Sequence, residues 1–409
     1  MAALRILLFL EPVIFRSRPA FLSAHFMWAR SIMRSSDSFA LAASAEVCQA
    51  WRRDNPDPDV ICRCFPIDSF SPLSTVDYSR ANYAKALYGT GEAPNALTDA
   101  LRDIRSEFAP DIVVMSSQNA FAQHAFLGIP IFFIEQSPLP RLGYPARLSL
   151  DPYGHQTPSL LGRFATRIRD IELEPAQRRD LIGVLDGIKS DLANRDTKYA
   201  SALQALDNIG GQDKVALLVT QPPDWVTYEG AFRPIDPVNL LYAWAQSLPD
   251  GWLGVPTYHV GYAPSREMEI ALERSCPRLR FLPIEFSQGL TEVLLVRANG
   301  MITISSTSAM TGLLLQRHVV VVGQSPFNSW CIDKPELIAS ASPLSESEVA
   351  STLAFLCHRY SHLMGDLETD PLRFVQIIEQ IQASAEPIDW FMDMSDWSID
   401  SVRRSFGFA

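Results

Sequence analysis

The sequence predicts an α/β protein: two Rossmann-like domains joined by a helical bridge, with a C-terminal helix that crosses back. Three observations lead there. Apolar strand-like runs alternate with amphipathic helical runs on both sides of the chain's midpoint, as parallel sheets covered by helices require. A stretch from about 163 to 209 carries charged residues at helical spacing, among them Arg167, Arg169, Asp170, Arg178, Arg179 and Asp180. The segment from Gly300 to Gly323 reads as strand, hydroxyl-rich turn, helix and second strand in succession.

In the first half, Arg5 to Leu10 is an apolar strand, Ala20 to Met33 a helix, Ser38 to Ala42 a strand, Ala45 to Arg53 a helix and Val60 to Cys64 a strand. Leu97 to Phe108 is an amphipathic helix, Asp111 to Met115 a buried strand, Ala120 to Leu127 a helix, and Ile131 to Ile134 a strand delivering Glu135 to its end. Strand character resumes at Lys214 to Thr220, Trp252 to Tyr258, Arg278 to Leu282, Gly300 to Ile304 and Val319 to Val322. Helices are expected at Asn239 to Ser247, Ser265 to Arg274, Leu290 to Ala298 and Ala309 to Gln316. The expected domains are 1–205 with the bridging helices, 206–365, and a helical tail over 366–409 whose Trp390, Phe391, Trp397 and Phe406 pack back on a domain.

A chain of 409 residues exceeds one ordinary domain, and 47% hydrophobic with 20% charged residues is the balance of a folded, core-forming protein. The net charge of −11 argues against nucleic acid as the main partner, though not against a local site for a small anion. Cys48, Cys62, Cys64, Cys276, Cys331 and Cys357 show no zinc or redox spacing, and Cys62 with Cys64 is expected to be a reduced pair on one strand face. Leu4 to Leu10 is too short for a signal peptide, and no apolar run approaches the roughly 18 residues of a membrane span.

Candidate site residues fall at predicted strand ends, where α/β sheets present ligand-binding groups. Ser305, Ser306, Thr307 and Ser308 precede a helix, whose first N–H groups and positive dipole end suit a phosphate, and Gly323 closes the next strand. A capped structural helix without ligand fits the same residues equally well. Glu135, beside Phe132-Phe133-Ile134, reads as a general acid or base with a pKa raised by burial, or as a solvated loop carboxylate. Asp224, between Pro223 and Trp225, reads as a constrained carboxylate or a turn residue, and His259 as an anion donor or a hydrogen-bonded structural histidine. Asp151-Pro152-Tyr153-Gly154 reads first as a turn and second as an acceptor-side loop.

These residues resemble the retaining β-Kdo transferases of capsule-polysaccharide and lipopolysaccharide biosynthesis, enzymes of GT-B architecture that use CMP-Kdo. Ile302-Thr-Ile-Ser-Ser-Thr307 with Val319-Val-Val-Val-Gly323 is similar to the family's strand, Ser-Thr turn, helix and strand pattern. Gln221, Asp224 and Thr227 resemble its Gln, acidic, Ser/Thr run, and Glu135 with Asp151 and Gly154 its N-terminal acidic loop. Three positions depart: Tyr258-His259-Val260 stands for a His-Pro motif, a single Asp224 for an acidic run, and Ala309 for a glycine.

The resemblance implies two facing domains, with the acceptor on the N-terminal one. It makes Asp224 the nucleophile, Glu135 the acceptor base, and Ser306, Thr307 and His259 the phosphate holders, with no metal and no cofactor beyond the CMP-sugar donor. It further implies a glycan or glycolipid acceptor and a cytoplasmic protein, peripheral at the inner membrane or in a polysaccharide assembly complex. Two other readings fit the same residues: a nucleotide-sugar epimerase or inverting glycosyltransferase on this fold, and a non-catalytic nucleotide- or sugar-binding partner.

Overall fold

The computed structural model describes residues 4–11, 19–34, 36, 38–55, 62–67, 80–92, 95–222, 232, 236–260, 262–370 and 372–408. By contact the chain divides into two units, each an α/β body with its own sheet. Unit 1 holds Met1–Ser137, Ala146–His155 and Tyr360–Asp393; unit 2 holds Pro138–Pro145, Gln156–Arg359 and Met394–Ala409.

The sheet of unit 1 contains β1 (Arg5–Phe9), β2 (Ser38–Ala43), β3 (Cys62–Pro66), β4 (Ile112–Met115), β5 (Ile131–Gln136) and β6 (Arg147–Asp151). With the late strand Ser361–Leu363 they lie in the order late strand, β6, β5, β4, β1, β2, β3. From β3 to β5 the pairing is parallel, whereas β6 runs antiparallel to β5 and the late strand antiparallel to β6. Parallel strands covered by helices are apolar on both faces, and Ile6, Leu7, Leu8, Val113, Val114 and Met115 are all fully buried. β1 first extends toward β2 and β3 and the chain then returns to β4, so the winding reverses between β1 and β4.

Unit 2 has a four-stranded sheet of β7 (Lys214–Val219), β8 (Trp252–Thr257), β9 (Gly300–Thr303) and β10 (His318–Val321), ordered β10-β9-β7-β8. Every pairing is parallel. The core on one side gathers Ala216, Leu218, Leu240, Trp244, Tyr258, Leu279, Ile302 and Val320. Here the winding reverses between β7 and β9. The helix Pro237–Ser247 starts where Asp236 accepts hydrogen bonds from Val238 N and Asn239 N, with proline at the first turn, a common helix opening.

Several sequence expectations need correction. Arg278 to Leu282 is not a strand: it touches the sheet edge through the single bridge Gly254↔Leu279, and Pro256 of β8, which has no N–H, cannot donate the next ladder bond to Arg280 O. Leu290 to Ala298 is helical only over Thr291–Leu294. β5 continues through Glu135 to Gln136, so Glu135 lies within a paired strand opposite Ser149. The strand expected from Val60 begins at Cys62 among the described residues.

The tail enters unit 1 at Tyr360, where the late strand joins the sheet and Phe374, Ile377, Ile378, Ile381, Ile388 and Phe391 are buried. Its last segment belongs to unit 2, where Phe406 meets Tyr144 edge-on at 5.3 Å between ring centroids.

Candidate functional site

In a doubly wound sheet, ligands bind beyond the carboxyl ends of the strands where the winding reverses, because loops diverge there and leave a crevice. In unit 2 that place is the end of β7 and β9. The pairing Val219↔Thr303, continued two residues, sets Gln221 opposite Ser305. Their side chains meet: the Ser305 hydroxyl lies 3.3 Å from both the amide nitrogen and the amide oxygen of Gln221. On the other flank, Val219↔Thr257 continued in the same way brings His259 to that level. Ser305, Gln221 and His259 are each only partly buried.

The hydroxyl turn differs from the expected cap. The helix is Ser308–Leu314, and its N-cap Thr307 makes no side-chain capping bond. Ser306 serves instead, its Oγ accepting from Ser308 N at 3.2 Å while Ser306 N donates to Thr303 Oγ1 at 3.2 Å. Ser306 is thus engaged in holding the turn, whereas the partly buried Thr307 makes no side-chain capping bond. Gly323 donates its N–H to Ile304 O at 3.0 Å and accepts from Asn328 Nδ2 at 2.9 Å, so it extends the ladder at this edge. The His259 carbonyl accepts from Tyr262 N at 2.9 Å and Gln288 Nε2 at 3.3 Å, fixing the loop that carries the ring. Asp224, with Thr227, lies outside the described residues.

Unit 1 has its own polar edge. Glu135 Oε2 lies 2.9 Å from His155 Nε2, and Gln136 N donates to Glu135 Oε1 at 2.9 Å. Asp151 forms the expected turn, accepting from Tyr153 N at 2.9 Å and Gly154 N at 3.2 Å, and this reversal carries His155 back to Glu135. The His155 backbone N–H donates to Gln118 Oε1 at 3.2 Å.

Burial pushes the Glu135 carboxyl upward, but the bond and charge of His155, the Gln136 N–H and the charge of His25 outweigh it and leave its pKa lowered. That reverses the raised pKa expected from its apolar neighbours in sequence. His155, the partner of Glu135 in this cluster, was missed by the sequence reading. Its one signal was its place directly after the Asp151–Gly154 turn.

Where the winding of unit 1 reverses, Glu11 is completely buried after β1 and accepts from the Tyr83 hydroxyl. Beyond β4, the fully buried Asn119 accepts from Ala122 N at 2.8 Å, while its Nδ2 and Ser116 Oγ have no hydrogen-bond partner among the described residues. Among the described residues no group of three or more His, Cys, Asp or Glu side chains is arranged to hold a metal ion. No helix among them is long and apolar enough to cross a membrane.

No family model matches the chain, and no curated protein matches it. Among solved structures it is similar to the β-Kdo 2,7-transferase KpsC of Thermosulfurimonas dismutans, with 11% identity and a TM-score of 0.41 over 73% of this chain and 98% of that one. It is similar to the UDP-GlcNAc 2-epimerase of Neisseria meningitidis bound to UDP-GlcNAc, with 12% identity and a TM-score of 0.31 over 98% and 97% of the two chains. A third similar structure is the glycotransferase of kitacinnamycin, with 13% identity and a TM-score of 0.32 over 99% and 100%.

Proposed function

We propose that the chain is a retaining glycosyltransferase that takes Kdo, or a related ulosonic acid, from a CMP-sugar and passes it to a surface-polysaccharide or glycolipid acceptor. The observation that carries this reading is the Gln221–Ser305 pair at the winding reversal of unit 2, beside the turn that resembles the family's Ser-Thr element.

In this reading unit 2 holds the donor. Departure of CMP builds positive charge at the anomeric carbon and negative charge on the phosphate. Thr307, the Ser305 hydroxyl, Ser306 and His259 meet the phosphate with donors, and Asp224 attacks the anomeric carbon from the opposite side. The covalent glycosyl-enzyme is then opened by the acceptor hydroxyl, and two inversions give retention.

Unit 1 holds the acceptor in the same reading. Glu135, kept ionised near neutrality by its His155 and Gln136 bonds, receives the hydroxyl proton. Its lowered pKa makes it a modest base, suited to taking the proton late, as the new glycosidic bond forms. Glu135→Gln is expected to depress transfer by about 10²–10⁴ while CMP affinity is unchanged. The chemistry needs no divalent metal, since the hydroxyl, N–H and imidazole donors stabilise the leaving phosphate.

The test is incubation with a panel of CMP- and UDP-sugars, with and without candidate acceptors, and measurement of nucleotide release. Release of CMP from CMP-Kdo, abolished in Asp224→Asn with CMP binding intact, is expected. Release of UDP alone, or CMP binding without turnover by the native chain, would replace this reading with the epimerase or binding-partner alternative.

A further inference from the structure

Two contacts of the tail that returns to unit 1 fall on a single turn, the one that follows β6. Asp151 Oδ1 shapes this turn by accepting from Tyr153 N at 2.9 Å and Gly154 N at 3.2 Å. The other oxygen, Oδ2, accepts from the Tyr360 hydroxyl at 3.5 Å, across 209 residues of chain. The Tyr153 hydroxyl accepts from Ile388 N at 3.2 Å, across 235 residues. Ile388 follows Pro387 at the start of the helix Pro387–Met392, so its N–H is the first this helix offers and cannot be bonded within it. The buried Tyr360 ring lies 6.3 Å from that of Phe391 in the same helix, so the tail grips the turn from both of its ends.

The turn carries His155, whose Nε2 stands 2.9 Å from Glu135 Oε2. Glu135 and His155 are both only partly buried. The sheet brings the tail to the same level, since Ser361 of the late strand pairs with Ser149, and Ser149 with Glu135. Glu135 lies in a strand, whereas His155 lies on a loop, held locally by the bond from its backbone N–H to Gln118 Oε1. A charge-assisted bond weakens steeply as its geometry slips, so the pair is only as good as the hold on that loop.

We propose that the tail braces this pair: Tyr360 and Tyr153 are positioning residues whose hydroxyls hold the Asp151 turn, and with it His155, against Glu135. That this brace governs an acceptor base rests on the transferase reading; the brace itself does not. Its signature is the ionisation of Glu135, because a His155 that drifts away stabilises the carboxylate less and lets its pKa rise. The ionisable groups around Glu135 are His155, His25 of the helix Pro19–Arg34 and Tyr360 of the tail, with Arg147 and Asp151 on β6 and none on β4. Phenols are neutral throughout an acid titration, and burial and the charge of Asp151 push that of Tyr360 higher still. Removing either hydroxyl therefore changes no charge, and a shift at Glu135 reports the placement of His155.

The test is titration of the Glu135 carboxyl by 13C NMR in the full-length, glutamate-labelled protein, its signal identified by its loss in Glu135→Gln. No substrate is present, so failure here and failure of the transferase reading are separate results. Tyr360→Phe and Tyr153→Phe should each raise the midpoint by about 0.5–1 pH unit. Neither should raise it further in a His155→Asn background, because the tyrosines act through that ring. Tyr144→Phe, which removes a hydroxyl bonded to Ile188 O in unit 2, should leave the midpoint unchanged. Midpoints unmoved in both tyrosine variants of the turn, shifts that persist in full without His155, or an equal shift in Tyr144→Phe would overturn the proposal.

Discussion

Ser306 and Thr307 stand side by side in the sequence, yet only Ser306 also holds the turn, and substitution should separate the two. Ser306 Oγ holds Ser308 N, so Ser306→Ala loses a cap and about 0.5–2 kcal/mol of stability. Thr307 makes no capping bond, so Thr307→Ala should leave the melting temperature unchanged while weakening CMP binding by about 1–3 kcal/mol. Thermal unfolding and titration calorimetry on the two variants check this together.

Glu135 supplies a second residue-scale prediction. Its folded pKa lies below the unfolded value of ~4.3, so its stabilising contribution is complete above that value and fades as pH falls through the folded pKa. Acid titration of stability should therefore be shallower in Glu135→Gln than in the native chain below about pH 4.5. An identical acid limb in both proteins would remove the His155–Glu135 interaction from the account. The sequence showed Glu135 as a candidate but gave the sign of its shift wrongly, because the compensating His155 is twenty residues away and reaches it only through the Asp151 turn.

At the scale of elements, the parallel strands other than β3 were legible because each is a short, largely apolar run bounded by turn residues. β6 and the late strand Ser361–Leu363 were not. β6 buries Arg147, Ser149 and Asp151 alongside Leu148 and Leu150, so the polar–apolar alternation of a one-sided strand carries no exposure, and the late strand is too short for any period to show. Arg278 to Leu282 has strand composition, but Pro256 of the adjoining β8 lacks the N–H that the next ladder bond needs.

Gly300, which opens β9, illustrates a packing requirement that composition also hides. A Cβ there would stand 2.7 Å from the His318 carbonyl oxygen of β10, and backbone cannot swing aside as a side chain can. Gly300→Ala should destabilise unit 2 by about 1–3 kcal/mol and displace β9, which leads into Ser305. Denaturant unfolding measures the first effect and CMP affinity the second; an unaltered midpoint would show that β9 and β10 separate easily.

For the whole molecule, the chain's repeated passage between units means that neither unit is one continuous stretch of sequence. Unit 1 depends on Tyr360–Asp393, which supplies a sheet strand and six buried apolar side chains from Phe374 to Phe391. Each such side chain contributes about 1.5–3 kcal/mol, and their sum rivals the ~5–15 kcal/mol stability of a whole domain. Truncation after Arg359 should leave the unit 1 sheet unfolded, seen as loss of hydrogen-exchange protection over β1 and β4. The sequence revealed two sheets and a returning tail, but not that the tail divides between the units, since aromatic clusters mark burial without naming the surface they cover.

The central claim is that a cytidine nucleotide binds at the winding reversal of unit 2, and hydrogen exchange with and without saturating CMP tests it most directly. The expected result is slowed exchange confined to the ends of β7 and β9, over residues 219–222 and 303–310. Protection at 9–11 and 115–119, the corresponding edge of unit 1, or no protection anywhere, would contradict it.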